Sequence, residues 1–179
     1  DPDRAVCCTA GRTGNEAACL DQLLVGRCGT NNRPDCSNMC HESSGRALEA
    51  TIGIGKGSVT LEDLERSDLI FVVGQNPGTN HPRMLSTLET ARRNGARIVA
   101  VNPLPEAGLL RFRNPQKVRG VLGRGTELAT HHLQVRVNGD LALFTLLGRR
   151  LLEDDLLDHD FIARHTDGFA AWADHVRST

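Results

Sequence analysis

Five consecutive apolar residues, Leu69-Ile70-Phe71-Val72-Val73, closed by Gly74, constrain this chain more than any other feature. The run is far too short to span a bilayer. Being uninterrupted rather than alternating, it predicts a strand covered on both faces, as in a parallel sheet. A second such run is Arg97-Ile98-Val99-Ala100-Val101. Between them Gln75 to His81 reads as a turn, Pro82 fits a first helical position, and Leu85 and Leu88 mark a helix closing at Asn94-Gly95. Strand, helix and strand within about thirty residues make a βαβ unit, whose crossover is expected to be right-handed. Leu133 to Val137 reads as a third strand. Gly139-Asp140 then opens a helix with Leu141, Phe144, Leu147, Leu151 and Leu152 on one side, and Phe169, Trp172, Ala173 and Val176 stripe a last short helix. Leu104 to Gly125, rich in Pro, Gly and Arg, reads as an excursion between sheet elements. The fold class is α/β.

Toward the N-terminus, Thr13-Gly14-Asn15-Glu16 has the pattern of a capping box. A helix over Asn15–Arg27 follows from Ala17, Leu20, Leu23 and Leu24, with Gly29 as its stop. Thr30 to Ser44 reads as an irregular loop dense in polar groups. Thr60-Leu61-Glu62-Asp63 is a second capping signal, with Leu61 and Leu64 expected to point inward.

The formal net charge of −1 over 179 residues gives no basis for a nucleic-acid or membrane-surface partner. Asp1-Pro2-Asp3-Arg4 has no signal-peptide pattern, and its lack of an initiator Met suggests a fragment. The six Cys are not spaced as in a small disulfide scaffold, so reduced thiols in a cytoplasmic setting are expected.

Ligands of open α/β sheets sit beyond the carboxyl ends of the strands. Three segments fall there: Gly74 to Pro82, then Asn102-Pro103, then Asn138-Gly139-Asp140. Two of them precede a helix N-terminus, where unpaired N–H groups and the helix dipole favour phosphate. Their Asn and Asp side chains suit a base or a ribose. The first segment has neither the glycine spacing of a dinucleotide fingerprint nor the lysine of a P-loop. On local grounds alone these are equally ordinary turns capped by Asn and Asp. The other chemistry-bearing stretch is Asp35 to Gly45. Cys40, followed by His41, stands just before a helical segment, a setting that favours a thiolate, and a thiolate is a soft ligand for a transition metal. A structural Cys is the alternative. Cys36, Cys40 and His41 could also contribute to a zinc site, although no fourth ligand has suitable spacing. Cys7, Cys8, Cys19 and Cys28 look incidental.

Taken in order along the chain, these residues resemble the molybdopterin-dependent oxidoreductases, in the branch related to the formate dehydrogenase alpha subunit. The likeness rests on Gly11-Arg12-Thr13-Gly14-Asn15-Glu16, Gly29-Thr30-Asn31-Asn32, Cys40-His41, Asn76-Pro77 with His81-Pro82, and Asn94-Gly95-Ala96. It continues through Gly139-Asp140-Leu141-Ala142-Leu143, Asp160-Phe161-Ile162 and Thr166-Asp167-Gly168-Phe169.

The resemblance implies a three-layer α/β/α cofactor-binding domain with a mainly parallel sheet, incomplete here. Residues 1–179 would form a single partial domain with an excursion at about 104–125. It implies molybdenum held by two molybdopterin guanine dinucleotides, with Cys40 as the protein ligand and His41 beside it to move a proton. Asn76, Pro77, Thr79 and Asn80 would contact one dinucleotide, Asn102 and Pro103 its guanine end, and Gly139 and Asp140 a further part of it. The implied reaction is a two-electron oxidation or reduction of a small substrate, with an electron-transfer partner. The [4Fe-4S] cluster of the family is expected only in an N-terminal segment that this chain lacks, because Cys7-Cys8 does not have its spacing. As this fragment alone the protein is expected to be inactive. Thr79, Asn80 and Leu104 stand where formate-specific members carry Asp, Ser and Arg, which points away from formate itself. A non-catalytic nucleotide-binding module and a zinc- or redox-responsive thiol protein remain the alternatives.

Overall fold

The computed structural model describes residues 1–10, 13–34 and 36–179, without the side chains of Cys36, Ser37 and Arg119. Gly11, Arg12 and Asp35, named above among the family anchors and the Cys-rich stretch, lie outside the described residues. The chain forms two compact units, Asp1–Val59 and Thr60–Thr179.

Among its described residues the first unit holds a short 3-10 turn at Pro2–Arg4 and three helices: α1 (Asn15–Arg27), α2 (Cys36–Cys40) and α3 (Glu42–Ile52). The expected helix over Asn15–Arg27 is present with those bounds. Its capping box is not. Gly14 occupies the N-cap and brings no side chain, so Thr13 sits one residue too early for its hydroxyl to serve. The loop expected over Thr30–Ser44 is instead helical from Cys36. Arg46 to Ala50 are good helix formers, and α3 stops at Gly53, whose φ of 77° suits glycine. Arg33 ties the connection back onto α1: its Nε donates to Asp21 Oδ2 at 2.6 Å and its Nη2 to the Ala18 carbonyl at 3.0 Å. Asn32 Nδ2 donates to the Ala5 carbonyl at 2.8 Å.

The second unit runs α4 (Leu61–Glu65), β1 (Leu69–Val73), α5 (Pro77–Asn80), α6 (Met84–Arg93), β2 (Arg97–Val101), α7 (Ala107–Leu110) and α8 (Val118–Val121). It continues with β3 (His131–Leu133), α9 (Gly139–Glu153), α10 (His159–His165) and α11 (Phe169–Ser178). Here the capping box does form. The Thr60 hydroxyl accepts from the Asp63 N–H, and Asp63 Oδ2 accepts from the Thr60 N–H at 2.7 Å. Leu61 nevertheless points to solvent and Leu64 is half-buried, contrary to the inward placement expected of both.

The three strands lie in the order β1-β2-β3, all parallel. Leu69 pairs with Arg97 and Val73 with Val101, then Val99 with His131 and Val101 with Leu133. The third strand thus ends where the expected one began. Thr130 sets this register, its N–H donating to the Ile98 carbonyl at 2.7 Å and its hydroxyl accepting from the Ile98 N–H at 3.2 Å. One face of the sheet packs on α6. Ile70, Val72, Ile98 and Ala100 meet Leu85, Leu88 and Ala91, with Leu109 and Leu128 completing the core. The other face is less covered than the apolar run implied, since Leu69, Phe71 and Val73 are exposed. Phe144 of α9 meets Phe71 edge-on with ring centroids 5.8 Å apart. Among the described residues α9 buries only Gly148, so Leu141 and Leu151, expected on a covered side, face solvent. Gly148 and Val176 bring α9 and α11 together beside Trp172. The result is a partial three-layer α/β/α arrangement around a small parallel sheet. Pro82 lies in the turn before α6 rather than inside it, with Arg83 as the N-cap. No helix among the described residues is long and apolar enough to cross a membrane.

Candidate functional site

β1 and β2 end side by side, so the segments after Val73 and after Val101 leave the sheet together. Gly74 makes the first turn at φ 64°, and its N–H donates to the Val101 carbonyl at 2.8 Å. Asn76 then works at both ends of its amide. Oδ1 accepts from the Thr79 N–H at 3.2 Å, capping α5, and Nδ2 donates to Glu106 Oε2 at 2.6 Å. The Asn76 carbonyl accepts from the Thr79 and Asn80 N–H groups at 3.2 and 3.0 Å, and the Pro77 carbonyl from His81 at 3.0 Å. Pro77 has no N–H and is buried. Of the backbone donors expected to favour phosphate at this turn, those of Thr79, Asn80 and His81 are therefore spent. Thr79 and Asn80 remain exposed. Gln75 Nε2 and His81 Nδ1 lie 3.2 Å apart and close the loop behind them.

At the end of β2, Asn102 is only 8% exposed. Its Oδ1 accepts from the Leu104 N–H at 3.2 Å, and its amide nitrogen has no bond among the described residues. Its backbone N–H donates to the Leu133 carbonyl at 3.2 Å, and the Pro103 carbonyl accepts from Gln134 Nε2 at 3.0 Å. The ends of β2 and β3 are thereby joined. Asn138 has φ 67°, and Gly139 and Asp140 begin α9, which has no side-chain cap. No hydrogen bond among the described residues joins Asp140 to the other two segments. The structure thus gathers Asn76, Pro77, Thr79 and Asn80 beside Asn102 and Pro103, with Gly139 and Asp140 further along.

Glu106, Gly108 and Gln134 take part in this arrangement without having stood out in the sequence. A Cβ on Gly108 would lie 3.0 Å from Gly78 Cα, so α5 and α7 touch backbone to backbone. Glu89 was equally silent. It is 3% exposed on α6 and accepts from Asn114 Nδ2, Lys117 Nζ and Thr126 Oγ1, each at 2.9 Å, and from Arg93 Nη2 at 3.1 Å. Burial disfavours its charge. The bonds from Asn114, Lys117 and Thr126, with the Lys117 charge, outweigh that and hold its carboxyl at about 2. A cavity of about 310 Å³ adjoins this cluster.

In the first unit, Cys40 is the last residue of α2, and His41 is the N-cap of α3. Both are exposed. The His41 side chain makes no capping bond, so its ring is not committed to the helix end. His41 borders a cavity of about 380 Å³ with Asn38, Glu42, Arg46 and Glu49, in which Asn38 Nδ2 donates to Glu42 Oε2. Among the described residues no three His, Cys, Asp or Glu side chains converge as a ligand set for a metal. The zinc reading also needs the Cys36 side chain, which lies outside the description.

No family model matches the chain. An uncharacterized oxidoreductase of Mycobacterium tuberculosis is 62% identical over 174 residues, covering 94% of this chain and 22% of that protein. Protein YdeP of Escherichia coli is 48% identical over 180 residues, covering 94% of this chain and 24% of its own length. Formate dehydrogenase H of Escherichia coli is 30% identical over 158 residues, covering 88% of this chain and 20% of the enzyme. Among solved structures, acetylene hydratase from Pelobacter acetylenicus shares the fold, with a TM-score of 0.58 at 18% identity over 86% of this chain and 18% of that one. The chain spans less than a quarter of the length of each of these proteins. It belongs to the molybdopterin-dependent oxidoreductase superfamily, related to the formate dehydrogenase branch.

Proposed function

We propose that this chain is a cofactor-binding part of an oxidoreductase that uses molybdenum bound by two molybdopterin guanine dinucleotides. The observation that carries this reading is the polar strand-end cluster of the second unit. Asn102, a mostly buried residue, keeps an amide donor that no protein group takes among the described residues, and Thr79 and Asn80 are exposed on a loop that bonds their own N–H groups internally. Such groups fit a base or a ribose. With the Thr79, Asn80 and His81 N–H groups bonded within the loop, the α5 turn offers a diphosphate few donors, and its contribution is to the nucleoside end. Asn102 and Pro103 would hold the guanine, and Gly139 and Asp140, at the uncapped start of α9, would make a further contact with the same cofactor.

Cys40 would supply the thiolate ligand and His41 would take up or relay a proton at its ring nitrogen. When bound, the cofactor supplies two-electron redox chemistry at its metal. A single protein thiolate completing that metal's coordination does not require a cluster of protein ligands. The substrate is a small molecule and electrons pass to a separate acceptor.

The test is the metal and pterin content of the full-length protein, purified without added cofactor, by elemental analysis and the fluorescence of oxidised pterin. Molybdenum or tungsten together with pterin is the expected result. A folded full-length protein with neither refutes the reading. In a loaded enzyme, Cys40→Ala is expected to abolish turnover while the fold survives, and retained turnover would remove Cys40 from the metal site.

A further inference from the structure

The excursion after β2 reaches back to the loop after β1 at two points. One is the bond from Asn76 Nδ2 to Glu106 Oε2, formed across thirty residues of chain at 2.6 Å. The other is the backbone contact of Gly78 with Gly108. Glu106 stands at the N-cap of α7, where a side-chain acceptor ordinarily turns back onto the helix's own N–H groups. It makes no such bond. Its carboxylate is directed instead to the one residue whose other amide atom caps α5. A hydrogen bond to an ionised acceptor is stronger than a neutral one, and this one is partly buried.

We infer that Glu106 is a positioning residue: it orients the Asn76 amide and thereby locks the 76–80 loop, leaving Thr79 and Asn80 to meet the nucleotide. The role assigned to Thr79 and Asn80 rests on the function proposed above, whereas the lock itself does not. Asn76 on this view shapes the site through one hydrogen bond at each end of its amide. Gly108 completes the lock, because a Cβ there would press on the Gly78 backbone at 3.0 Å.

The test is amide hydrogen exchange of the full-length protein over residues 75–82, combined with the rate at which pterin is lost on dilution. Glu106→Ala and Asn76→Ala should each speed exchange at Thr79, Asn80 and His81 about tenfold or more. The double variant should be no faster than Asn76→Ala alone, because Asn76→Ala already removes the shared bond together with the Oδ1 cap on α5. Glu106→Gln should restore most of the protection, its amide oxygen accepting from the same Nδ2. Exchange in β1 should not change in any of them. Gly108→Ala should loosen the same loop while leaving the carboxylate in place, which provides a second route if Glu106→Ala does not fold. Unchanged loop exchange in Glu106→Ala, additive effects in the double variant, or failure of Glu106→Gln to rescue would each overturn the lock. If the loop loosens as described and pterin leaves faster, the full inference holds. If it loosens but the wild-type protein carries no pterin, the lock stands and the cofactor reading fails.

Discussion

Replacing Glu89 with Ala removes a carboxylate that four donors converge upon, and its consequences can be worked out from the structure. Asn114 is as buried as Glu89, so its Nδ2 is left without a partner, and the Thr126 hydroxyl loses its acceptor. Lys117 and Arg93 are partly exposed and can return to water, so they add less. Breaking a buried charged cluster from one side costs about 3–5 kcal/mol, and that is the expected destabilisation near pH 7. The pH dependence is a separate check. The Glu89 carboxyl titrates at about 2 in the fold against 4.5 for an ordinary glutamate. At ~1.4 kcal/mol per pH unit this difference corresponds to about 3 kcal/mol. Because the folded value is the lower one, the contribution is complete above about 4.5 and drains away as pH falls toward about 2. The gap between wild type and Glu89→Ala should therefore narrow by roughly 2 kcal/mol between pH 7 and pH 3. Urea unfolding followed by the fluorescence of Trp172, the single Trp and a residue of the same unit, measures both quantities. A variant within about 1 kcal/mol of wild type at pH 7, or a gap that stays constant down to pH 3, would show that the cluster does not hold the excursion on α6.

Other sites carry simpler expectations. At Gly148 a Cβ would stand 3.0 Å from Trp172 Cζ2, so Gly148→Leu should cost about 1–3 kcal/mol and shift the Trp172 emission to the red, both read in one urea titration. Arg33→Met keeps the apolar stem but loses the bonds to Asp21 and the Ala18 carbonyl. Limited proteolysis should then cut the connection between α1 and α2 faster than in wild type, and equal rates would show the tie to be idle. Asn102→Asp exchanges the unbonded amide donor for an acceptor. It should lower pterin retention in the full-length protein, and unchanged retention would remove Asn102 from the cofactor site.

Local signals carried the fold where the chain's own neighbours decide the outcome. Asn15–Arg27 has its apolar spacing and its stop within one segment, and the helix follows those bounds. Thr13 and Thr60 show the limit of the same kind of signal. Both open a capping pattern, but the box forms only at Thr60, where the helix starts one residue after the hydroxyl. The run Leu69 to Val73 marks a strand but does not say what covers it, because the cover for Leu69, Phe71 and Val73 has to come from elsewhere. β3 was displaced for a related reason. His131 and His132 have no strand signal of their own and are drawn in by pairing with Val99 and Ala100. The strand-end segments of the candidate site were legible because ligands follow topology in parallel sheets. Glu106 and Glu89 were not, since each draws its meaning from partners 25 to 37 residues away that share no pattern with it.

The contact of Gly78 with Gly108 has a consequence for inheritance. Two backbones this close leave little room for a side chain on either, so the loop and the excursion do not drift independently. A larger residue at one position pushes on the backbone of the other, so substitutions at the two sites should come in pairs. A graft that exchanges the excursion between relatives would have to carry the Pro77–Asn80 segment with it.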